Sequence, residues 1–314
     1  GRAGIEGQVV GLAGAVARLR PASVTVKRVA WNWGAGGLPW RLHALPRLTL
    51  SKRTGLAPPW PDIWIAAGRA TLPLSTRMGR WSQGRSFVVQ VQDPRIDPAR
   101  FDLVIPPKHD QLAGPNVYPI TGSPHGVTPE TLAQARLRFA ERLGVLPGPR
   151  IAVLVGGSSS AYDLTSHRAG VLAREIAQLV SESGGSLMLT FSRRTPLPAR
   201  ARMTAGLRDL PGEIWDETGE NPYFGYLAHA DHILVTEDST NMAVQAATTG
   251  KPVHLLTLDG GSAKFRRLHD ELEGLGVARP FNGMLEDWDY APLAETERAA
   301  AETLRRFDLF RRAA

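Results

Sequence analysis

Short runs of apolar, largely β-branched residues alternate with longer stretches whose apolar positions recur every three or four residues, and the alternation continues along the whole chain. This pattern predicts parallel α/β units. A strand buried on both faces reads as a continuous apolar run, and the helix that returns the chain shows one apolar stripe. In the first half, strands are expected at residues 23–29, 62–66, 87–91, 103–105 and 117–120. The opening helix carries Ile5, Val9, Leu12, Val16 and Leu19 on one stripe. A helix over 129–143 has Thr128 as N-cap, Pro129 at its first position and Gly144 as its stop. Leu146-Pro147-Gly148-Pro149-Arg150 reads as a linker. Beyond it, strands are expected at 151–155, 186–191, 213–215, 232–236 and 252–258, with helices at 166–183, 198–207, 222–229, 239–249 and 263–273. A last helix is expected over 292–312.

The expected organisation is an N-terminal Rossmann-like domain over residues 1–146, a second over 150–290, and a C-terminal helix over 291–314. The two parallel sheets are expected to face a cleft, with ligands at the carboxyl ends of the strands. Gly1-Arg2-Ala3-Gly4 looks like the glycine loop that follows a first strand, so the reading includes a first N-terminal strand missing from this chain.

Composition narrows the chemistry. Among 314 residues there is no cysteine, which excludes disulfides, a thiol nucleophile and a cysteine zinc site. No apolar run reaches the roughly 18 residues of a membrane-spanning helix, so a cytoplasmic protein, at most peripheral on the inner membrane, is expected. The net charge is +7, and 32 of the 37 basic residues are arginine. That bias fits genomic base composition as well as an anionic partner. No RNA-binding signature or zinc-finger spacing accompanies it, so nucleic acid is not expected.

Three segments carry candidate chemistry, each where a strand gives way to a helix. The first is Gly156-Gly157-Ser158-Ser159-Ser160: glycines admit a phosphate to the backbone, and serine hydroxyls can donate to it. The alternative is a plain turn of small residues, and the Gly-Lys-Ser/Thr ending of a P-loop is missing. The second is Ser192-Arg193-Arg194-Thr195, in which Arg193 and Arg194 either clamp a diphosphate or form a solvated pair. The third, residues 232–258, places Asp238, Ser239, Thr240 and Asn241 at a helix start that favours an anion, with Gln245 within reach of a ribose hydroxyl.

That third segment, small polar residues followed by a helix and Gly250-Lys251-Pro252, resembles the donor site of two-domain GT-B glycosyltransferases such as the N-acetylglucosamine transferase of peptidoglycan synthesis. In those enzymes a glutamate binds the ribose where this chain has Gln245, which leaves a neutral and weaker hydrogen bond. Over most of its length the chain is similar to the "elongated mitochondria" family, described as mitochondrial fission proteins in plants and as glycosyltransferases in bacteria. The matching pieces are Gly1-Arg2-Ala3-Gly4 with Gln8, Gln92-Asp93-Pro94-Arg95, Pro107-Lys108-His109-Asp110, Gly156-Gly157, Ser192-Arg193-Arg194-Thr195 and Glu237-Asp238-Ser239. The resemblance implies a GT-B-like fold and a nucleotide-diphosphate sugar as substrate, with no metal or other cofactor.

Sugar transfer to a hydroxyl needs a base for the acceptor's proton and positive charge or helix-end amides for the leaving diphosphate. His109, with Asp110 beside it, and Asp93 are the candidates for the base; surface turns are the alternative at each. His125 is a weaker candidate. His269 and Glu273, four apart on a helix, lack a third metal ligand. Arginines flank Leu304, Phe307 and Phe310 in the tail, which suits a helix lying on anionic lipid and a lipid-linked acceptor, or a helix packed on a domain. Trp31, Trp33 and Trp40 suit either an acceptor site or a patch beneath a loop. The expected activity is transfer from a nucleotide-diphosphate sugar to an unidentified acceptor, with a cell-envelope glycolipid as the candidate. Two rivals are epimerisation of the nucleotide sugar on the same fold and a non-enzymatic interaction protein.

Overall fold

The computed structural model describes residues 3–32 and 46–313. The chain forms two α/β units: Gly1–Gly126 together with Ala294–Ala314, and Val127–Leu293. Among the described residues no helix is long and apolar enough to cross a membrane.

Unit 1 contains α1 (Ala3–Leu19), the short α2 (Pro46–Thr49), β1 (Ile63–Ala67), α3 (Leu72–Trp81), β2 (Phe87–Val91) and β3 (Leu103–Ile105). The three strands form a parallel sheet in the order β1-β2-β3. On α1, Leu12 and Val16 are buried, while the far end of the stripe, Leu19, is exposed. Two expected strands do not form. Residues 117–120 run parallel to β3 but make only isolated bridges, Val104 with Val117 and Pro107 with Ile120. Pro106, Pro107 and Pro119 have no N–H to donate, so no continuous ladder can be built there. Residues 23–29 have no strand partner among the described residues, and Ser23 to Arg28 are all exposed. β-Branched composition alone does not hold an extended segment without a neighbour to pair with.

Unit 2 contains α4 (Pro129–Arg138), α5 (Ala140–Leu143), β4 (Arg150–Val155), β5 (Tyr162–Asp163), α6 (Ser166–Ser183), β6 (Ser186–Phe191), α7 (Leu197–Leu207), β7 (Gly212–Ile214), α8 (Tyr223–His229), β8 (His232–Thr236), α9 (Thr240–Ala247), β9 (Val253–Leu256), β10 (Asp259–Gly260), α10 (Ala263–Gly274) and β11 (Arg279–Pro280). Six of these strands form one parallel sheet in the order β11-β9-β8-β4-β6-β7. The chain runs outward from β4 through β6 and β7. It then returns to the other side of β4 for β8 and continues outward to β9 and β11. The direction of winding therefore reverses between β4 and β8, the position at which open α/β sheets bind ligands beyond their strand ends. Ile151 to Val155 are fully buried, with Leu172, Ile176 and Met203 on one face of the sheet and Tyr226, Val244 and Leu268 on the other.

Two boundaries differ from the sequence reading. Thr128 caps α4 in a reciprocal capping box with Thr131, but the helix breaks at Phe139. Phe139 and Leu143 join the unit 2 core, and Arg136 donates to the Ala228 carbonyl at 3.0 Å. The 129–143 segment thus packs in unit 2, and the division falls after Gly126. The tail helix, α11 (Glu295–Ala313), belongs to unit 1. Phe307 and Phe310 meet the Phe87 ring edge-on at centroid distances of 6.0 and 5.4 Å, and Ala299, Ala300 and Leu304 are buried there. The apolar face considered for lipid is covered by this packing.

At the amino ends of β8 and β9, His232 and His254 are buried, their rings 5.9 Å apart, with Trp288 5.2 Å from His254. Burial pushes the His254 imidazole down from 6.5 to about 4, and it lowers His232 as well. The folded chain therefore binds these protons less readily than the unfolded chain. Their contribution to stability is complete above the unfolded value and is lost as pH falls toward the folded value, with on the order of 3 kcal/mol at stake for His254. His254→Phe should flatten the decline in urea-unfolding stability between about pH 6.5 and pH 4.5. An unchanged slope would count against His254 as its source.

Candidate functional site

The carboxyl ends of β4, β6 and β8 meet around one carboxylate. Asp238 follows β8, and its side chain has 0% exposure. It accepts three hydrogen bonds: from the Gly157 amide at 2.9 Å, the Thr236 hydroxyl at 2.7 Å and Arg194 Nη2 at 2.7 Å. The donors come from the loop after β4, the last residue of β8 and the loop after β6. Thr236 Oγ1 in turn accepts from the Gly156 amide at 2.7 Å. Ser192 Oγ donates to the Gly156 carbonyl at 2.8 Å, and the Thr195 hydroxyl donates to the same carbonyl.

The two glycines are required by this closure. A Cβ on Gly156 would fall within the Asp238 carboxylate, and one on Gly157 would fall on the backbone of Arg194 and Thr195. The amides of both glycines are used inside the protein. The neighbouring serines also have local partners: Ser158 Oγ donates to Asp163 at 2.7 Å, and Ser159 Oγ accepts from the Tyr162 amide at 3.1 Å. Tyr162, buried against Glu237 and Asp238, is pushed up to about 12 by that burial and by the nearby carboxylates, so it stays a donor. The loop carrying it is tied to the loop after β9 by the antiparallel β5–β10 pair.

Two exposed cations and one helix start adjoin this cluster. Arg193 is exposed, and its side chain makes no hydrogen bond or ion pair among the described residues. Arg194 is 45% exposed, and among the described residues only Nη2 of its guanidinium is engaged. Ser239, next to Asp238, is the N-cap residue of α9 and only 7% exposed, yet its hydroxyl makes no capping bond. The first-turn amides of α9 are therefore left without the side-chain acceptor expected from a serine N-cap. Thr240 and Asn241 begin the helix half-buried. Further along α9, Gln245 Oε1 accepts from the Tyr223 hydroxyl at 2.5 Å, which leaves the amide N–H groups as its donating edge.

In unit 1, the candidate bases lie beyond the carboxyl ends of adjacent strands. Asp93 follows β2 and closes a turn, accepting the Arg95 amide at 2.8 Å and pairing with Arg95 Nε at 3.1 Å. His109 is 5% exposed in the single turn Lys108–Asp110 that follows β3, and Asp110 is half-buried. Lys108 Nζ donates to Thr121 Oγ1 at 3.1 Å, and Gln92 donates to the buried Gln8 of α1 at 2.8 Å. His125, also buried, lies against α1, where Gly11 leaves room for its backbone.

His269 Nε2 is 2.9 Å from the Glu237 carbonyl and serves the core, while Glu273 is exposed. Trp31 donates to the Ala70 carbonyl at 3.1 Å, and Trp33 and Trp40 lie outside the described residues. Sequence reading does not single out Thr236 or Tyr162. A hydroxyl on the last residue of a buried strand, two before a carboxylate, is the signal that could have found Thr236.

Residues 3–307 match the model of the family described as mitochondrial fission ELM1. The mitochondrial fission protein ELM1 of Arabidopsis thaliana is 31% identical over 280 residues, a match spanning 78% of this chain and 64% of that protein's length. The uncharacterized protein RP120 of Rickettsia prowazekii (strain Madrid E) is 26% identical over 279 residues, covering 76% of this chain and 78% of its own. Among solved structures, the glycotransferase of kitacinnamycin aligns with 98% of this chain and 91% of its own at 13% identity, with a TM-score of 0.49.

Gly157→Ala should destabilise unit 2 by ~1–3 kcal/mol or more, because the carbonyl it meets is fixed backbone. Gly156→Ala should do so by displacing Asp238. Urea unfolding would measure both, and a neutral result at Gly157 would mean that the loop is not closed as described.

Proposed function

The chain belongs to the mitochondrial fission ELM1 family, and from that premise and the geometry of unit 2 we propose that it is a GT-B-type glycosyltransferase acting on a nucleotide-diphosphate sugar. The observation that carries the reading is the arginine pair after β6 beside the uncapped start of α9, at the point where the sheet reverses its winding. A diphosphate is the ligand this combination suits. The site offers a charge-assisted donor in Arg194, a second cation in Arg193, and the first turn of α9 beginning at Thr240. Gln245 supplies N–H donors for a ribose hydroxyl. The serines of the 156–159 loop form the neighbouring rim.

In the reaction, the acceptor oxygen attacks the anomeric carbon of the sugar while the bond to the diphosphate breaks. The departing oxygen takes that bond's electrons, and the cations and helix amides stabilise the charge it develops. His109 or Asp93 takes the acceptor's proton, with Asp110 as the carboxylate beside His109. The acceptor is a hydroxyl-bearing molecule held by unit 1.

A thermal-shift panel of UDP, ADP, GDP and CDP tests the reading. At least one should raise the melting temperature, since a ligand at 100 times its Kd stabilises the native state by about 2.7 kcal/mol. The double variant Arg193→Ala with Arg194→Ala should abolish the shift. His109→Ala and Asp93→Ala should keep it, and one of them should slow nucleotide release from the sugar donor by about 10²-fold or more. If no diphosphate shifts the wild-type protein, the reading is wrong. Conversion of the donor sugar without acceptor would instead indicate epimerisation.

A further inference from the structure

Asp238 sits in the cluster just assigned to a diphosphate, yet it is a carboxylate, and a carboxylate repels phosphate. Its surroundings point to another role. The side chain is fully buried, and its two oxygens receive the Gly157 amide, the Thr236 hydroxyl and one guanidinium nitrogen of Arg194. The bond to Arg194 engages Nη2, so Nε and Nη1 keep their N–H groups available in a side chain 45% exposed. Arg194 is also fixed at its backbone, where its amide donates to Ser192 Oγ at 3.1 Å. Asp238 immediately precedes Ser239, so the guanidinium it holds lies beside the start of α9.

Resting on the reading of unit 2 as a diphosphate site, we propose that Asp238 is a positioning residue. It presents the free edge of the Arg194 guanidinium to the diphosphate beside the α9 amides and makes no contact with the ligand itself. The chemistry requires arginine. A planar guanidinium can bond a buried carboxylate through one nitrogen and a phosphate through the others, whereas a lysine ammonium is a point charge without that fork. An arginine with many rotamers would also lose much of its side-chain freedom on gripping a phosphate, and prior anchoring lowers that cost.

The test is a double-mutant cycle on the whole chain, with UDP and inorganic pyrophosphate as probes and Kd read by calorimetry. Asp238→Asn should weaken both probes about tenfold in the wild-type background and by less than about twofold in an Arg194→Ala background. Equal weakening in both backgrounds would show that Asp238 acts through general loop structure and would overturn the proposal. Arg194→Lys, at a half-exposed position, covers the case in which Asp238→Asn fails to fold. It should bind as poorly as Arg194→Ala, and wild-type affinity in the lysine variant would overturn the proposal. A wild-type protein that binds neither probe would overturn the underlying diphosphate reading itself. Binding with an additive cycle would overturn only the role of Asp238.

Discussion

A carboxylate removed from water at the end of a parallel sheet is costly unless donors replace its hydration, and the loops of unit 2 are arranged around meeting that requirement at Asp238. One backbone amide, one hydroxyl and one guanidinium converge on it. Each comes from a different strand end, so satisfying the charge also sets the relative positions of the loops after β4, β6 and β8. The Gly-Gly pair follows from the same constraint, because the loop after β4 must pass between the Asp238 carboxylate and the Arg194 backbone. Removing one partner of a buried pair leaves an uncompensated charge, which is why such an arrangement fails as a whole. The Arg194 side is half-exposed, and water screens part of that attraction. The stability of the junction therefore rests more on the amide and the hydroxyl, leaving the arginine available to a ligand.

The fold was legible where burial on both faces dictates composition. The strands Phe87–Val91, Leu103–Ile105, Ser186–Phe191 and His232–Thr236 have the bounds that their apolar runs predict. Legibility failed where a neighbour, and not the segment itself, decides the outcome. Residues 23–29 have strand composition but no strand partner among the described residues, and residues 117–120 lie in register beside β3 but are interrupted by prolines. The helix expected over 129–143 is broken at Phe139, whose ring packs beside Gly225, a contact that local periodicity does not record. The same holds for the division of the chain. A Pro/Gly stretch at 146–150 looks like a linker, but assignment to a unit follows packing, and α4 and α5 pack on the unit 2 core.

The candidate site was visible as three separate segments and not as one structure. Glycines, arginines and a polar helix start each suggest a phosphate. The sequence does not say that Asp238 joins them, because which donors reach a carboxylate is a property of tertiary structure. Ser239 has the residue type and position of an N-cap and makes no cap bond. Gln245 has the position of a ribose ligand, but its carbonyl is taken by Tyr223, so only its donating edge is left. These are differences of orientation, which residue type cannot encode.

The arginine-rich composition takes on a different meaning once the partners are known. Much of the basic charge is neutralised locally: Arg18 pairs with Glu297, Arg20 with Asp308, Arg28 with Glu6, and Arg305 and Arg306 share Glu302. Two of these pairs join the last turn of α1 and the residue just after it to α11, so they assist the return of the tail to unit 1, although exposed ion pairs contribute only about 0–1 kcal/mol each. An overall charge of +7 is therefore a poor guide to where an anion would bind. Local geometry is a better one. At the loop after β6, Arg193 has no acidic partner among the described residues, and Arg194 has one that occupies a single nitrogen. A phosphate approaching this loop meets positive charge that no nearby carboxylate among the described residues fully cancels, next to the start of α9, where the Ser239 hydroxyl makes no capping bond. That local imbalance, and not the net charge of the chain, is the electrostatic basis for placing an anionic ligand there.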